Sequence, residues 1–291
     1  MSDSPFDYLR ARSLLWWIPI SLITVIPLII YDQQTGADSS QIAGVLLFLT
    51  LIGWVAWRMR RCDVRLSILI GPLPKPRSIL RAIGIAALLL LFSVGAFFAF
   101  AYVVPSYVEG SIDGGPLSQL YGYGLPRGAV ALLVLVVLAP VAEELLFRGI
   151  LLNRWTRKWS AGPAVLLSTL LFALLHPVPL GAFGVGLALA ALYLKTRSLL
   201  LPIVVHAAHN AIAVGGVLYH ARAGGQPPTI ETILASVWIG GVCLAVSVPA
   251  LGYLLYTWWP ETAGIAPYDR TVQSETLQSE TLQGETLQSE T

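Results

Sequence analysis

Eight apolar runs, near residues 14–31, 42–57, 82–104, 128–152, 163–176, 180–194, 198–218 and 234–258, make up most of this 291-residue chain. A helix needs about 20 predominantly apolar residues to cross a hydrocarbon core about 30 Å thick. Runs of this length and number predict an all-α, polytopic membrane helix bundle of about eight transmembrane helices. Composition agrees: 56% of the residues are hydrophobic and 12% are charged, where soluble proteins carry about 25% charge. Runs five and six are short. Between them lies His176-Pro-Val-Pro-Leu-Gly181, which breaks a helix, so they read as two spans or as a broken, re-entrant hairpin.

Charge sets the expected orientation. Segments 1–13, 58–81, 153–162 and 195–197 hold fourteen Lys and Arg, whereas the alternate loops hold only Arg127 and Arg222. Basic loops stay in the cytosol, so both termini are expected there, with a polar cavity open toward that side. The stretch 66–81, with Pro72, Pro74 and Pro76, reads as an interfacial or loop element. Arg10 and Arg12 before the first run resemble a signal peptide, but the run is about 18 residues long and no small-x-small site follows it, so a retained first span is expected.

The chain divides into N-terminal spans and a basic loop (1–81), a membrane core (82–258) and an acidic tail (259–291). The tail holds six of the sixteen acidic residues and repeats Ser/Gly-Glu-Thr-Leu-Gln from Ser274. Its polarity predicts disorder. Without it the chain carries seventeen bases against ten acids, an excess that fits basic cytosolic loops and does not point to nucleic acid. The two cysteines, Cys62 and Cys243, imply neither a disulfide framework nor a cysteine-rich metal site.

Against this background the fourth run is anomalous, because it contains Glu143, Glu144 and Arg148. A carboxylate at membrane depth costs about 2.5 to 3.5 kcal/mol on insertion scales, and such residues mark function. The fifth run carries Phe172 and His176, and the seventh carries His206, His209 and Asn210. Glu143 lies 17 residues before Ser160 and His176 lies 16 after it. At 1.5 Å per residue both stand about 25 Å of helix from that turn, at similar depth on antiparallel neighbours. His206 and Asn210 lie roughly 12 to 18 Å past Ser198, where the seventh run enters from the same side. Glu143 and Glu144 point about 100° apart, so they cannot face one site equally. Glu144 and Arg148, spaced i and i+4, can pair. Pro140 frees a carbonyl one turn upstream.

Glu143-Glu144-Leu-Leu-Phe-Arg148, Phe172-Ala-Leu-Leu-His176 and His206-Ala-Ala-His-Asn210, in this order on successive apolar helices, resemble the motifs of the CPBP family of intramembrane proteases. This is the type II CAAX endopeptidase family, related to the Ras-converting enzyme and including bacteriocin-immunity (Abi) proteins. The resemblance covers roughly residues 80–218. It implies an endopeptidase cutting near the C-terminus of a membrane-associated, CAAX-like or other, protein or peptide. It also implies roles: Glu143 as the base that activates water, assisted by His176; His206 and Asn210 as holders of the oxyanion; Glu144, Arg148 and Phe172 as structural support. His209 has no role in it. No cofactor is expected, because the usual His-Glu-x-x-His zinc motif is absent. A zinc-dependent form, with Glu143, His176 and His206 as ligands, stays open. So do a transporter or proton relay and a non-proteolytic immunity scaffold. The expected partners are the substrate and the lipid bilayer. The expected location is a bacterial cell membrane or a eukaryotic endomembrane.

Overall fold

The computed structural model describes residues 4–72, 75–112, 120–122, 125–259 and 264–289, and every regular element among them is a helix. Nine carry the argument. They are α1 (Trp17–Thr35), α2 (Ser40–Arg61), α3 (Pro76–Val103), α4 (Pro126–Trp159), α5 (Ala161–Leu174), α6 (Pro179–Thr196), α7 (Leu200–Arg222), α8 (Val237–Trp258) and α9 (Pro267–Ser289). Among the described residues, seven are long and apolar enough to cross a membrane: α1 to α4 and α6 to α8. The protein is an integral, multi-pass membrane protein.

The fifth apolar run is a helix but a short one. With 14 residues, α5 is about 21 Å long, less than the hydrocarbon thickness. It begins at Ser160, whose φ of 105° closes α4 and opens α5 with no intervening loop. It ends before His176-Pro177-Val178, and α6 then starts on Pro179, where a missing N–H costs nothing. The short helix therefore delivers His176 into the interior of the bundle.

The 66–81 stretch resolves differently from expectation. Leu66–Ile70 is a short helix, but α3 already begins at Pro76, and Pro74 lies outside the described residues. Here too a proline occupies the first turn.

α3 is the organising strut. It packs along α8, α7 and α6, while α5 lies against α6 and α1 touches little beyond α2. One apolar core joins α2, α4 and α6, and a second joins α3, α6, α7 and α8. α4 is not uniformly wound: Leu133–Leu138 and Leu145–Leu152 are π-helical and flank the α-helical turn Ala139–Glu144 that carries Pro140 and both glutamates. Wide turns of this kind shift which side chains face a given neighbour.

The basic segments gather at one end of the bundle. Arg154 and Arg157 meet Asp7, Arg157 also meets Asp269, and Arg65 meets Glu275. Leu199 donates its backbone N–H to the Leu69 carbonyl at 3.0 Å. This end also holds the start of the tail. Residues Pro267–Ser289 form a helix, because its first turn is pinned: Ala266 and Tyr268 are buried, the Phe6 ring meets the Tyr268 ring edge-on at 5.2 Å, and Ser4 Oγ donates to Asp269 at 2.7 Å. A nucleated turn followed by Glu, Leu and Gln, all good helix formers, propagates.

Candidate active site

Glu143 and Glu144 stand on the α-helical turn of α4, and their directions diverge as helix geometry requires. Glu144 is fully buried and pairs with Arg148 at 2.7 Å, as the i,i+4 spacing implies. A charge pair out of water persists only with its remaining donors satisfied. Arg148 accordingly donates to the Gly186 carbonyl at 2.8 Å and lies over the Phe172 ring at 4.7 Å. Gly186 permits this approach. A Cβ there would stand 3.0 Å from Phe172 Cδ1 and 3.1 Å from Thr169 Cγ2.

Three elements converge on Glu143. His176 Nε2 and His206 Nε2 each lie 3.7 Å from Glu143 Oε2, an oxygen that is buried and takes no hydrogen bond from the protein. The other ring nitrogens are engaged. His176 Nδ1 is 2.7 Å from the Phe172 carbonyl, and His206 Nδ1 is 3.0 Å from Glu144 Oε1. Both partners only accept, so each Nδ1 carries a proton. Both Nε2 atoms are therefore acceptors when the rings are neutral, and each becomes a donor only on protonation. Phe172 sets the ring positions. Its centroid is 4.3 Å from that of His176 and 5.8 Å from that of His206.

Asn210 lies one turn beyond His206 on α7 and lines the same cavity as His176 and His206. Its Nδ2 donates to the Leu135 carbonyl at 2.8 Å, and its Oδ1 is 3.1 Å from His209 Nδ1. The cavity measures about 530 Å³. From the histidines it passes Ser93 and Phe97 to Tyr107, Val108, Ile112 and Leu120. Its lining is mostly apolar, and it runs toward the end of the bundle opposite the basic segments. This corrects the expected polar cavity open on the basic side.

Glu143, His176 and His206, the residues named from the sequence as possible zinc ligands, are the ones that meet. Among the described residues no group of three or more His, Cys, Asp or Glu has the arrangement of a metal site. Three features had escaped the sequence. Glu144 reaches His206 as well as Arg148, so both glutamates touch one imidazole from its two sides. Ser93 of α3 bonds His209. Asn153 donates to Tyr193 Oη at 2.9 Å and accepts from the Tyr268 backbone at 3.2 Å, linking α4 to α6 and the tail. Ser93, Asn153 and Tyr193 sit in no motif and left no signal.

Comparison with known proteins bears on this region. Residues 126–212, which contain Glu143, Glu144, Arg148, Phe172, His176, His206 and Asn210, match the family model "Type II CAAX prenyl endopeptidase Rce1-like". An uncharacterized 24.3 kDa protein of Escherichia coli is 33% identical over 90 residues, which is 28% of this chain and 42% of that protein. The chain thus spans less than half the length of this curated relative. No solved structure matches. Geometry and comparison agree on the region: residues 126–212, which run from α4 into α7 and hold the converging side chains, are similar to the Rce1-like type II CAAX prenyl endopeptidases.

Proposed function

We propose that the protein is an intramembrane endopeptidase that hydrolyses a peptide bond near the C-terminus of a membrane-associated protein. The observation that carries this reading is the convergence of His176 Nε2 and His206 Nε2 on Glu143 Oε2, each at 3.7 Å. A water molecule fits between Glu143 Oε2 and His176 Nε2, giving one hydrogen to each of these two acceptors. Glu143 takes a proton from that water as its oxygen attacks the scissile carbonyl, with His176 orienting the water through Nε2.

The attack places negative charge on the carbonyl oxygen. His206, as an imidazolium whose Nδ1–H is held by Glu144, donates from Nε2 to that oxyanion, and Asn210 Nδ2 supplies a second donor. With His206 charged, Glu143, Glu144, Arg148 and His206 sum to zero before reaction. Glu143 then passes its proton to the leaving amine as the C–N bond breaks. The apolar cavity accommodates greasy groups beside the scissile bond, a lipid-modified or strongly apolar C-terminal segment.

The test uses the full-length chain in nanodiscs, offered internally quenched peptides that include a farnesylated CAAX peptide and an unmodified apolar library. Cleavage is expected, with Glu143→Gln lowering turnover roughly 100- to 10,000-fold. Cleavage that survives Glu143→Gln and His176→Ala unchanged overturns the reading, as does failure to cut any member of both sets.

A further inference from the structure

Asn210 is locked at both ends of its amide. Nδ2 donates to the Leu135 carbonyl at 2.8 Å, and Oδ1 is 3.1 Å from His209 Nδ1. An amide oxygen only accepts, so His209 Nδ1 holds the proton, and Nε2 of the same neutral ring is an acceptor. That Nε2 lies 3.1 Å from Ser93 Oγ, which donates its hydroxyl hydrogen. The polarity runs in one direction only, from Ser93 O–H to His209 Nε2, from His209 Nδ1–H to Asn210 Oδ1, and from Asn210 Nδ2–H to the Leu135 carbonyl.

This chain ties α3, α7 and α4 together, and all four of its residues line the cavity. A primary amide nitrogen has two hydrogens. The Leu135 carbonyl takes one, which leaves the other for a group in the cavity. Without the His209 donor, Asn210 Oδ1 would seek another partner and the amide would rotate.

We propose that His209 is a positioning residue. Backed by Ser93, it fixes the Asn210 amide so that Nδ2 presents its second hydrogen to the oxyanion. The inference rests on the proteolytic reading above, in which Asn210 is an oxyanion donor. The plainer alternative, a histidine that only packs α7 against α3, predicts a different pattern of mutant kinetics.

The experiment measures kcat and KM of the full-length protein in nanodiscs on a quenched peptide that the wild type cleaves. His209→Leu is expected to lower kcat roughly 10- to 100-fold, the cost of a misplaced catalytic group, with KM changed less than about twofold. His209→Asn keeps an N–H donor near the Nδ1 position and is expected to recover kcat to within about fivefold of wild type. In an Asn210→Ala background, His209→Leu is expected to cost less than about twofold more, because its effect passes through the missing amide.

A packing role would cost the same in both backgrounds, and that result overturns the proposal. Wild-type kcat in His209→Leu beside a slow Asn210→Ala overturns the inference alone. Wild-type kcat in Asn210→Ala overturns the oxyanion reading and the inference together. Imidazole nitrogen NMR reads the tautomer independently of any substrate, with the His209 signals assigned by their loss in His209→Leu. Protonation at Nδ1 is expected, and a proton on Nε2 overturns the proposal whatever the assay shows.

Discussion

Glu144 Oε1 stands 3.0 Å from His206 Nδ1 and, with the same oxygen, 2.7 Å from Arg148 Nη1. One buried carboxylate oxygen thus neutralises a guanidinium on its own helix and fixes the tautomer of an imidazole on another. The two glutamates differ in what they are free to do. Glu144 Oε1 is occupied, whereas Glu143 Oε2 is buried, takes no hydrogen bond from the protein and faces two imidazole nitrogens.

Glu144→Gln is therefore expected to act first on stability. It leaves Arg148 buried with its charge unpaired, which typically costs about 3 to 5 kcal/mol. Thermal unfolding in detergent should show a marked loss of melting temperature, together with slow turnover because His206 loses its anionic partner. Glu143→Gln should melt like wild type and fail to cleave. The reverse pattern would exchange the roles assigned to the two.

Gly186→Ala tests the close approach of α6 to α5. Its new methyl would stand 3.0 Å from Phe172 Cδ1 and 3.1 Å from Thr169 Cγ2. Overpacking of this kind costs about 1 to 3 kcal/mol. The bond from Arg148 to the Gly186 carbonyl should loosen as well. A melting temperature equal to wild type would show that the contact relaxes at no cost.

The terminal clasp should respond to acid. The hydrogen bond from Arg157 is the main cause holding the Asp7 carboxyl below its ordinary value, aided by the Ser4 backbone and by the charges of Arg157 and Arg154 and opposed by partial burial. Asp269 shares the Arg157 guanidinium at 2.6 Å. Because the folded value is depressed, this contribution is fully present above the unfolded value near 3.9 and disappears as pH falls through the folded value. Hydrogen exchange at residues 4–9 and 266–270 should be slow at neutral pH and accelerate below about pH 4. Arg157→Gln should exchange fast across the range. Protection independent of both pH and Arg157 would dismiss the clasp as a determinant of order there.

Metal content separates the two chemistries that Glu143, His176 and His206 can support. For the water-activating reading, purified full-length protein should hold far less than one zinc per chain and keep its activity after chelation. Elemental analysis giving about one zinc per chain, lost together with activity and restored by zinc, would recast the three residues as ligands.

The membrane bundle, the depth of the polar residues and the Glu144–Arg148 pair were legible in the chain because each follows from local geometry. Apolar length decides whether a helix spans, a rise of 1.5 Å per residue sets depth, and i,i+4 spacing sets neighbours on one helix. These rules bring Glu143 and His176 to one level. They could not say that α5 would stop short and leave its cavity on the side away from the basic segments, since that depends on where α6 and α3 pack. Nor could they find Ser93, which meets His209 across 116 positions of sequence, or Asn153, which meets Tyr193 and Tyr268. The tail illustrates the same limit. Its composition is that of a disordered segment, yet Pro267–Ser289 is helical where Tyr268 and Asp269 find Phe6 and Ser4 at the opposite end of the chain and Arg157 on α4. Periodicity and composition act within a single segment. Partners on other helices are chosen by burial and by the need to satisfy every polar group out of water, and only the tertiary structure makes that choice.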